Sequence, residues 1–314
     1  MTKLHLDTDI GGDMDDLCAL ALLLKLPDVE LTGVTTVAEE QGRRAGYVRY
    51  VLDLMGRSDV AFAAGADTAD GYYRYPTLGY PPDEVNYPEP VPRIPGHIDA
   101  ALDLLKRSIE QGALIVAIGP FTNLRLLDEK YPGILRDARL FLMGVYVDDV
   151  PTGYPDFART DDWNVQVDIR SALHVLEHAD PTCVPITVTA QTALRRADVP
   201  RLRSAGRLGA LLARQADAFW DEWHNGEKFA SFTHVPTDMI NFHHDPLACA
   251  IALGWSDGVT IERVPLTWAV RDTYLYETRD PQGKPINLVT SVDGAAFNRY
   301  WLEVICGGTS GKIG

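Results

Sequence analysis

Short apolar runs alternate with longer helix-like stretches along most of the 314-residue chain, and this alternation constrains its fold more than any other feature. Strands are predicted at "KLHLDTD", "VELTGVTTV", "DVAFAAGA", "ALIVAIGP", "ARLFLMG", "CVPITVT" and "RVPLTWAV", with helices at "DDLCALALLLKL", "GRRAGYVRYVLDLMG" and "GHIDAALDLLKRSIEQG". Strands separated by helices of about 10 to 15 residues indicate a mostly parallel central sheet with helices on both faces. No repeat or linker-like tract interrupts the pattern, so residues 1–314 are predicted to form one α/β domain.

Two segments break this alternation and are predicted to be irregular loops over the strand ends. Residues 70–96 are rich in Pro, Gly and Tyr, and residues 219–246, "FWDEWHNGEKFASFTHVPTDMINFHHDP", mix aromatic, His and turn residues. Irregular segments of this length in a compact domain are usually functional.

Five aspartates crowd into ten positions near the start, in "LDTDIGGDMDDLCALALLL": Asp7, Asp9, Asp13, Asp15 and Asp16. Asp7 and Asp9 stand at the C-terminal end of a predicted strand, where open α/β sheets place their ligand crevice. Acids in the first turn of a helix are common for dipole reasons, which explains one or two but not five. Carboxylates converging from a strand end and a helix start suit Ca²⁺ or Mg²⁺. A phosphatase nucleophile in the Asp-x-Asp motif is an alternative, but the chain has Gly11 where that pattern has Thr or Val.

Composition excludes several classes of protein. The net charge of −15 argues against nucleic-acid binding, which needs clustered Lys and Arg. No apolar run reaches the roughly 18 to 20 residues that cross a bilayer, so no membrane partner is expected. The four cysteines are widely spaced without a CxxC pair, and the first residues do not resemble a secretion signal, so a cytoplasmic location is expected.

Two later stretches carry further polar side chains with chemical potential. "NFHHDPLACAIALG" places His244 and Asp245 at a loop-to-helix junction, and imidazole is well suited to proton transfer near neutral pH. "TDDWNVQVD" places Asp162 and Asn164 around Trp163, which suits recognition of hydroxyl groups but is also compatible with an ordinary loop.

Taken in order, these motifs resemble the nucleoside hydrolase family, the inosine/uridine-preferring N-ribohydrolases. The resemblance runs through Asp-Thr-Asp, the Gly turn and Asp-Asp-Leu-Cys-Ala-Leu, and continues through "GVTTV", "AAGA", "IGPFTNL", "LMG", "DWN", "HDPLA" and "TSVDGAAF". It covers nearly the whole chain. It implies a calcium-dependent hydrolase that splits a small-molecule nucleoside into base and ribose, through an oxocarbenium-like state. A homo-oligomer, a dimer or tetramer, is also expected.

The resemblance implies roles for single residues. Asp9 matches the base that activates water while touching calcium, and His244 the acid that protonates the departing base. Asp15 and Asn164 match ribose contacts. The matches to the calcium ligands, besides Asp9, are Asp16, Asp245 and the carbonyl of Ile118.

The chain also departs from the family pattern. The turn before Asp15 is two residues longer, which leaves Asp13 without an assigned role except as a turn cap. Asp162 replaces a Glu as a predicted substrate contact, and Glu39 and Glu40 replace Gly-Asn. Glu39 is therefore predicted to contact substrate and to favour donor-rich or cationic bases. A related hydrolase of another N-glycoside and a non-catalytic binding protein remain alternatives.

Aromatic side chains of the two irregular segments are predicted to stack on the base, Trp223 foremost, with simple packing of these segments as the alternative. The remaining candidates are Tyr72, Tyr73, Tyr75, Tyr80, Tyr87, Trp220 and His224.

Overall fold

The computed structural model describes residues 1–11, 13–67 and 83–307, with residues 83 and 84 described by their backbone alone. Predicted base contacts at Tyr72, Tyr73, Tyr75 and Tyr80 lie outside the described residues.

A large, mostly parallel sheet forms the centre of a single α/β domain, as predicted. Its strands within the described residues are β1 (Thr2–Thr8), β2 (Val29–Thr36), β3 (Phe62–Ala64), β4 (Leu114–Ala117), β5 (Arg139–Met143), β6 (Thr182–Val184), β9 (Thr260–Arg271), β10 (Tyr274–Arg279) and β11 (Lys284–Ser291). Their order is β10-β9-β11-β6-β5-β4-β1-β2-β3. The strands from β11 to β3 pair in parallel, whereas β9 pairs antiparallel with both β11 and β10. Two short strands, β7 (Leu194–Arg195) and β8 (Met239–Asn241), form a separate antiparallel pair.

Helices cover both faces of the sheet. They are α1 (Asp15–Lys25), α2 (Arg43–Leu54), α3 (Asp83–Asn86), α4 (Ile98–Glu110), α5 (Thr122–Lys130), α6 (Ile134–Asp137), α7 (Trp163–Gln166), α8 (Ile169–His178), α9 (Ile186–Thr189), α10 (Val199–Arg203), α11 (Gly206–Trp223), α12 (Asn225–Lys228), α13 (His244–Ala252) and α14 (Gly294–Ile305). Single 3₁₀ turns cover Arg159–Asp161 and Arg196–Asp198. Among the helices of the described residues, none combines the length and apolar character needed to cross a membrane.

The two faces of the sheet carry separate apolar cores, as alternation along β4 illustrates. Leu114 and Val116 pack with α1, α11, α13 and α14, whereas Ile115 and Ala117 pack with α4, α5 and α8. Around β4 both faces of the sheet are therefore closed to solvent, whereas β9 near its edge is largely exposed.

Two predicted elements are corrected by the structure. The strand predicted at "CVPITVT" ends at Val184, because Pro185 has no N–H to donate and instead precedes the short helix α9. Residues 219–246 are not an irregular loop throughout. Their first five residues complete α11, whose buried Leu208, Leu212 and Phe219 keep helical spacing, and α12 and β8 follow.

Candidate active site

A cavity of about 330 Å³ opens beyond the C-terminal ends of β1, β4 and β5. One set of lining residues, called here the acidic wall, comprises Asp9, Asp13, Asp15, Asp16, Ile118, Asp162, Asn164 and Asp245. A second set, the aromatic wall, comprises Phe157, Phe219, Trp223, Lys228, Phe229 and Phe242. His244 also lines the cavity, and its ring lies 6.3 Å from Phe157 and 5.2 Å from Phe242, measured between centroids.

The acidic wall is built where two packed helices begin. Asp15 and Asp16 open α1, Asp245 lies in the first turn of α13, and these helices pack against each other. One carboxylate oxygen from each of the three lies within 4.8 Å of the others, and all three residues are buried. Burial first, and repulsion from neighbouring carboxylates second, raise the pKa of each well above its ordinary value. The cluster therefore could bind a metal, since a cation would offset both the burial of the charged carboxylates and their mutual repulsion.

Asp9 follows the last residue of β1 and faces the same cavity. Gly119 leaves room for it, because a Cβ there would stand 2.7 Å from Asp9 Oδ1. Burial raises the pKa of Asp9, while the charge of Arg44 and a hydrogen bond from the Trp163 side chain oppose the rise. Asp9 is not one of the three closely grouped carboxylates, so the cluster contains Asp15 where the resemblance implied Asp9.

Asp7 lies behind the cavity rather than in its lining. Its Oδ1 accepts from Thr35 Oγ1 at 2.5 Å and from Asn123 Nδ2 at 2.7 Å. Burial raises its pKa to about 7.

Asp13 has a place that sequence reasoning left open. Its Oδ1 accepts from the Met14 amide at 2.5 Å and from Asn241 Nδ2 of β8. It therefore caps the turn, as the sequence suggested, and also ties the start of α1 to β8. Burial raises its pKa to about 6.

Asn164 joins the ends of two central strands. Its Nδ2 donates to the Ile118 carbonyl at 2.8 Å and to the Met143 carbonyl at 3.1 Å, which leaves Oδ1 for a ligand. A carbonyl oxygen has two lone pairs, so Ile118 keeps acceptor capacity. The predicted pair of Asn164 and Ile118 thus meets in one place.

Asp162 is 1% exposed and lines the cavity beside Asn164. Neither carboxylate oxygen has a well-aligned hydrogen-bond donor among the described residues. Burial raises its pKa to about 7, against the opposing effects of the nearby Val145 and Val165 amides and the Arg159 charge. An acceptor this buried and this poorly paired suits a ligand hydroxyl.

His244 begins α13, and its Nδ1 lies 2.6 Å from Thr189 Oγ1. Burial lowers its pKa to about 4, so the imidazole is neutral near pH 7. The Thr189 hydroxyl has a single proton and also lies 3.2 Å from the Ile186 carbonyl. Where that proton goes to Nδ1 of His244, the Nε2–H is the donor available to a ligand.

Glu39 does not reach the cavity, and its predicted substrate contact is corrected. It is 2% exposed, and its carboxylate accepts from Thr36 Oγ1 and from the Ala45 amide at 3.1 Å. The Glu39 carboxylate thus caps the first turn of α2. Glu40 instead pairs with Arg43 at 3.0 Å near the surface.

Of the predicted aromatic contacts, Trp223 alone among the described candidates lines the cavity. Tyr87 is buried against Tyr47, with near-parallel rings 4.8 Å apart, and Trp220 packs under the Arg196 guanidinium at 4.8 Å. His224 links α11 to α12 with a positive φ of 49°. Sequence reasoning missed Phe157, Phe229, Phe242, Asn241 and Lys228, although four of these lie in the segment already singled out by its aromatic content.

With this geometry in place, comparison with known proteins is decisive. The family model described as "Inosine-uridine preferring nucleoside hydrolase" matches residues 4–299. The chain belongs to this family. It is accordingly an enzyme, an N-glycosyl hydrolase acting on nucleosides, in a family of metal-dependent hydrolases. The alternative of a non-catalytic binding protein is thereby set aside.

Individual relatives agree. A pyrimidine-specific ribonucleoside hydrolase, RihA, of Citrobacter koseri is 28% identical over 82% of this chain and 81% of its own length. RihA of Enterobacter sp. (strain 638) is 30% identical over 79% of this chain and 77% of its own. Among solved structures, the plant nucleoside hydrolase PpNRh1 superposes with a TM-score of 0.78 at 20% identity, covering 97% of this chain and 99% of that one. A purine-preferring ribonucleoside hydrolase from Gardnerella vaginalis gives 0.74 at 22% identity, covering 98% of each.

Proposed function

We propose that the enzyme is a calcium-dependent hydrolase that cleaves the N-glycosidic bond of a nucleoside to give free base and ribose. The observation that carries this proposal is the grouping of Asp15, Asp16 and Asp245 within 4.8 Å in a cavity that Asp9, Asn164 and His244 also line.

The donor set suits calcium better than magnesium. Calcium accepts six to eight oxygens in flexible geometry, whereas magnesium demands a near-octahedral shell and keeps several waters. Asp9, Asp16, Asp245 and the Ile118 carbonyl would hold the ion, with Asp15 close enough to contribute charge. When bound, the cation supplies the positive charge that offsets the buried carboxylates and makes a coordinated water more acidic.

Asp9 is proposed as the general base. The oxygen of the attacking water bonds to the anomeric carbon of the sugar and gives a proton to the Asp9 carboxylate. The bond from that carbon to the base nitrogen breaks, and its electron pair stays on the base. Desolvation of Asp9 raises its pKa and so strengthens it as a proton acceptor.

The rest of the acidic wall is proposed to hold the sugar. Asp15, Asp162 and the Oδ1 of Asn164 accept hydrogen bonds from hydroxyl groups, which fixes the anomeric carbon beside Asp9. The carboxylates also stabilise the positive charge that develops on the sugar ring as the bond breaks.

His244 is proposed to serve the departing base. Its neutral ring lies beside Phe157 and Phe242 in the cavity that the acidic wall also lines. With the Thr189 hydroxyl donating to Nδ1, the Nε2–H can donate to the base nitrogen or oxygen that gains electron density. The aromatic wall, Trp223 included, provides faces on which the base can stack.

We also propose, from sequence features and the family resemblance, that the enzyme is cytoplasmic and forms a homodimer or homotetramer. Light scattering of the purified chain measures the mass of the assembly.

The function is tested by offering purine and pyrimidine ribonucleosides, with and without a chelator, and measuring free ribose and free base. We expect equal amounts of both products, loss of activity in the chelator and recovery with Ca²⁺. Cleavage of other N-glycosides without any ribonucleoside would favour the alternative substrate class. No cleavage of any of them would contradict the proposal.

A further inference from the structure

Two of the proposed sugar contacts, Asp162 and Asn164, lie on one short segment of the chain. This segment, residues 159–166, consists of the 3₁₀ turn Arg159–Asp161, then Asp162, then α7. The Asp162 carboxylate has no well-aligned hydrogen-bond donor among the described residues, so its own hydrogen bonds do not fix it. Its position in the cavity therefore depends on what holds the segment.

The end of the segment is tied to the edge strand β10. Gln166 Nε2 donates to the Leu275 carbonyl at 2.8 Å, and Gln166 Oε1 accepts from the Leu275 amide at 2.9 Å. In the described part of the chain, β10 is the first strand of the sheet and pairs with β9. Gln166 thus bonds the outward-facing backbone groups that an edge strand leaves unpaired.

The start of the segment is tied to the same strand by an ion pair. Arg159 Nη1 lies 2.5 Å from Glu277 Oε2 and also donates to the Tyr146 carbonyl. The Glu277 side chain is fully buried, and it follows Leu275 by two residues, so both side chains lie on the buried face of β10. A carboxyl group at a buried strand position costs free energy unless it has a partner, and Arg159 is that partner.

Arg159 also acts on Asp162. The Asp162 amide donates to the Arg159 carbonyl at 3.2 Å. Burial raises the pKa of Asp162, and the charge of Arg159 opposes that rise. Burial first, and the charge of Asp162 second, raise the pKa of Glu277 to about 8, and Arg159 again opposes the rise. The guanidinium group is therefore close enough to both carboxyl groups to act on their charge. Glu277 Oε2 accepts from it with or without a proton on Oε1.

We propose that Arg159, held on β10 by Glu277, is a positioning residue that keeps the Asp162 carboxylate against one hydroxyl group of the sugar. The inference rests on the proposed function and deepens it, because it makes recognition of the sugar depend on residues behind the cavity. Within the residues that the structure describes, the lining of the cavity includes neither Arg159 nor Glu277. Discrimination between a ribonucleoside and the analogue that lacks this hydroxyl group depends on the pair.

The experiment compares the best ribonucleoside substrate with its 2′-, 3′- and 5′-deoxy analogues. The ratio of kcat/KM for the ribonucleoside to that for each analogue is measured for the wild type, Asp162→Ala, Arg159→Met, Glu277→Leu and Glu277→Gln. Where an analogue is hydrolysed too slowly, its inhibition constant is compared with the KM of the ribonucleoside. Arg279→Met is the matched control, because Arg279 also lies on β10 but pairs with Asp148 at the surface, at 2.6 Å.

Asp162→Ala should lower one of the three ratios by about tenfold or more, the effect of one hydrogen bond to a charged group, and so identifies the hydroxyl group. Arg159→Met and Glu277→Leu should lower the same ratio by about fivefold or more and leave the other two within about twofold. Glu277→Gln should keep that ratio, because its amide oxygen still accepts from Arg159, and Arg279→Met should keep all three. A purely structural role would lower the Tm and the kcat/KM of every substrate alike, and the ratios would not change.

The inference is overturned if Arg159→Met leaves the identified ratio unchanged, or if it lowers all three ratios equally. It is also overturned if Asp162→Ala changes none of the ratios, since no hydroxyl contact would then exist to be positioned. In each of these cases the hydrolysis of ribonucleosides by the wild type stands. Failure of the wild type to hydrolyse any ribonucleoside would instead contradict the proposed function, and this inference with it.

Discussion

The acidic and aromatic walls of the cavity are built in different ways. The grouped carboxylates come from the first turns of α1 and α13, which pack against the sheet, and each is at most 5% exposed. The aromatic wall comes from the end of α11, the short α12, the segments around β8 and, for Phe157, the segment after β5. Its Phe219, Phe229 and Phe242 are at most 9% exposed, whereas Trp223 is 46% exposed. The carboxylates proposed to bind the metal and the sugar thus stand on buried helix starts, whereas Trp223, proposed to contact the base, stands at the periphery.

The walls also differ in what they demand of a ligand. Carboxylates crowded in a buried place require a cation or developing positive charge, while the aromatic wall offers stacking area. Changes in the acidic wall should therefore lower kcat or metal affinity. Changes in the aromatic wall should alter KM and the choice of base.

Replacing Asp9 is expected to have the largest effect. Asp9→Ala removes the proposed general base, and kcat should fall by about 10² to 10⁴ on every substrate. His244→Ala should cost much less on a 4-nitrophenyl riboside, whose leaving group needs no proton, than on a nucleoside. Steady-state kinetics on both substrate types measures the two effects. Equal losses for His244→Ala on both would remove it as the acid.

Asp16→Asn should lower the affinity of the metal site for calcium but raise the Tm of the metal-free protein. Calcium affinity should fall by about a hundredfold or more, because an anionic ligand is lost. In chelator, the Tm should rise by about 2 to 4 °C, because one of several mutually repelling buried charges is gone.

Asp13→Asn is the matched control for that variant. It changes an acid in the same wall that lies outside the closely grouped three and keeps an oxygen for the Met14 amide. Its calcium affinity should stay within a few-fold of the wild type, by calorimetry. A loss of calcium affinity as large as that of Asp16→Asn would mean that Asp13 is also a metal ligand.

The aromatic wall should yield a smaller and base-dependent effect. Trp223→Ala is expected to raise KM by about 5- to 100-fold, the range of one lost stacking contact, with kcat little changed. Trp220→Ala is matched to it, since Trp220 lies on the same helix but does not line the cavity. Were purine, pyrimidine and nitrophenyl substrates all to lose the same factor, Trp223 would not distinguish bases.

The smallest effect on activity is expected behind the acidic wall, at His5. Its Nε2 lies 2.9 Å from Thr35 Oγ1, which donates to Asp7, so the neutral ring donates to Thr35 and leaves Nδ1 to accept from Ser108. Burial lowers its pKa from 6.5 to about 3. Below pH 6.5 the His5 side chain therefore binds a proton in the unfolded chain but not in the folded protein. The contribution of His5 to the free energy of unfolding is complete above pH 6.5 and is lost as the pH falls towards 3.

Urea unfolding tests this pH dependence. Between pH 7 and pH 5 the free energy of unfolding of the wild type should fall by about 2 kcal/mol because of His5 alone. His5→Gln should remove that part of the slope, and His178→Gln, at an exposed histidine, should keep it. An unchanged slope in His5→Gln would mean that another group controls acid stability.

The contrast between the walls also explains how far the sequence could predict the molecule. Asp15, Asp16 and Asp245 were predictable because each lies at a visible strand-to-helix junction, and parallel strands bring such junctions to one edge. The alternation of strands and helices likewise predicted the sheet, although not that β9 and β10 extend it with antiparallel strands.

The aromatic wall was harder to predict, because a phenylalanine that lines a cavity and one that fills a core look alike in sequence. Phe157 meets Phe229 and Phe242 only through folding of distant segments, whereas Tyr87, equally suggestive, packs on Tyr47. Glu39 shows the same limit for charge. An acidic residue after a strand can enter the crevice or cap the next helix. Glu39 caps α2, because its carboxylate accepts a hydrogen bond from the Ala45 amide.

The most direct test of the account is a titration of metal-free enzyme with Ca²⁺, in which bound ion and ribose release are measured on the same sample. The account predicts that both rise together and reach a plateau at one ion per chain, and that Asp16→Asn shifts both curves to higher Ca²⁺ concentration. Full ribose release before any ion binds, or binding of Ca²⁺ without a change in ribose release, would contradict it.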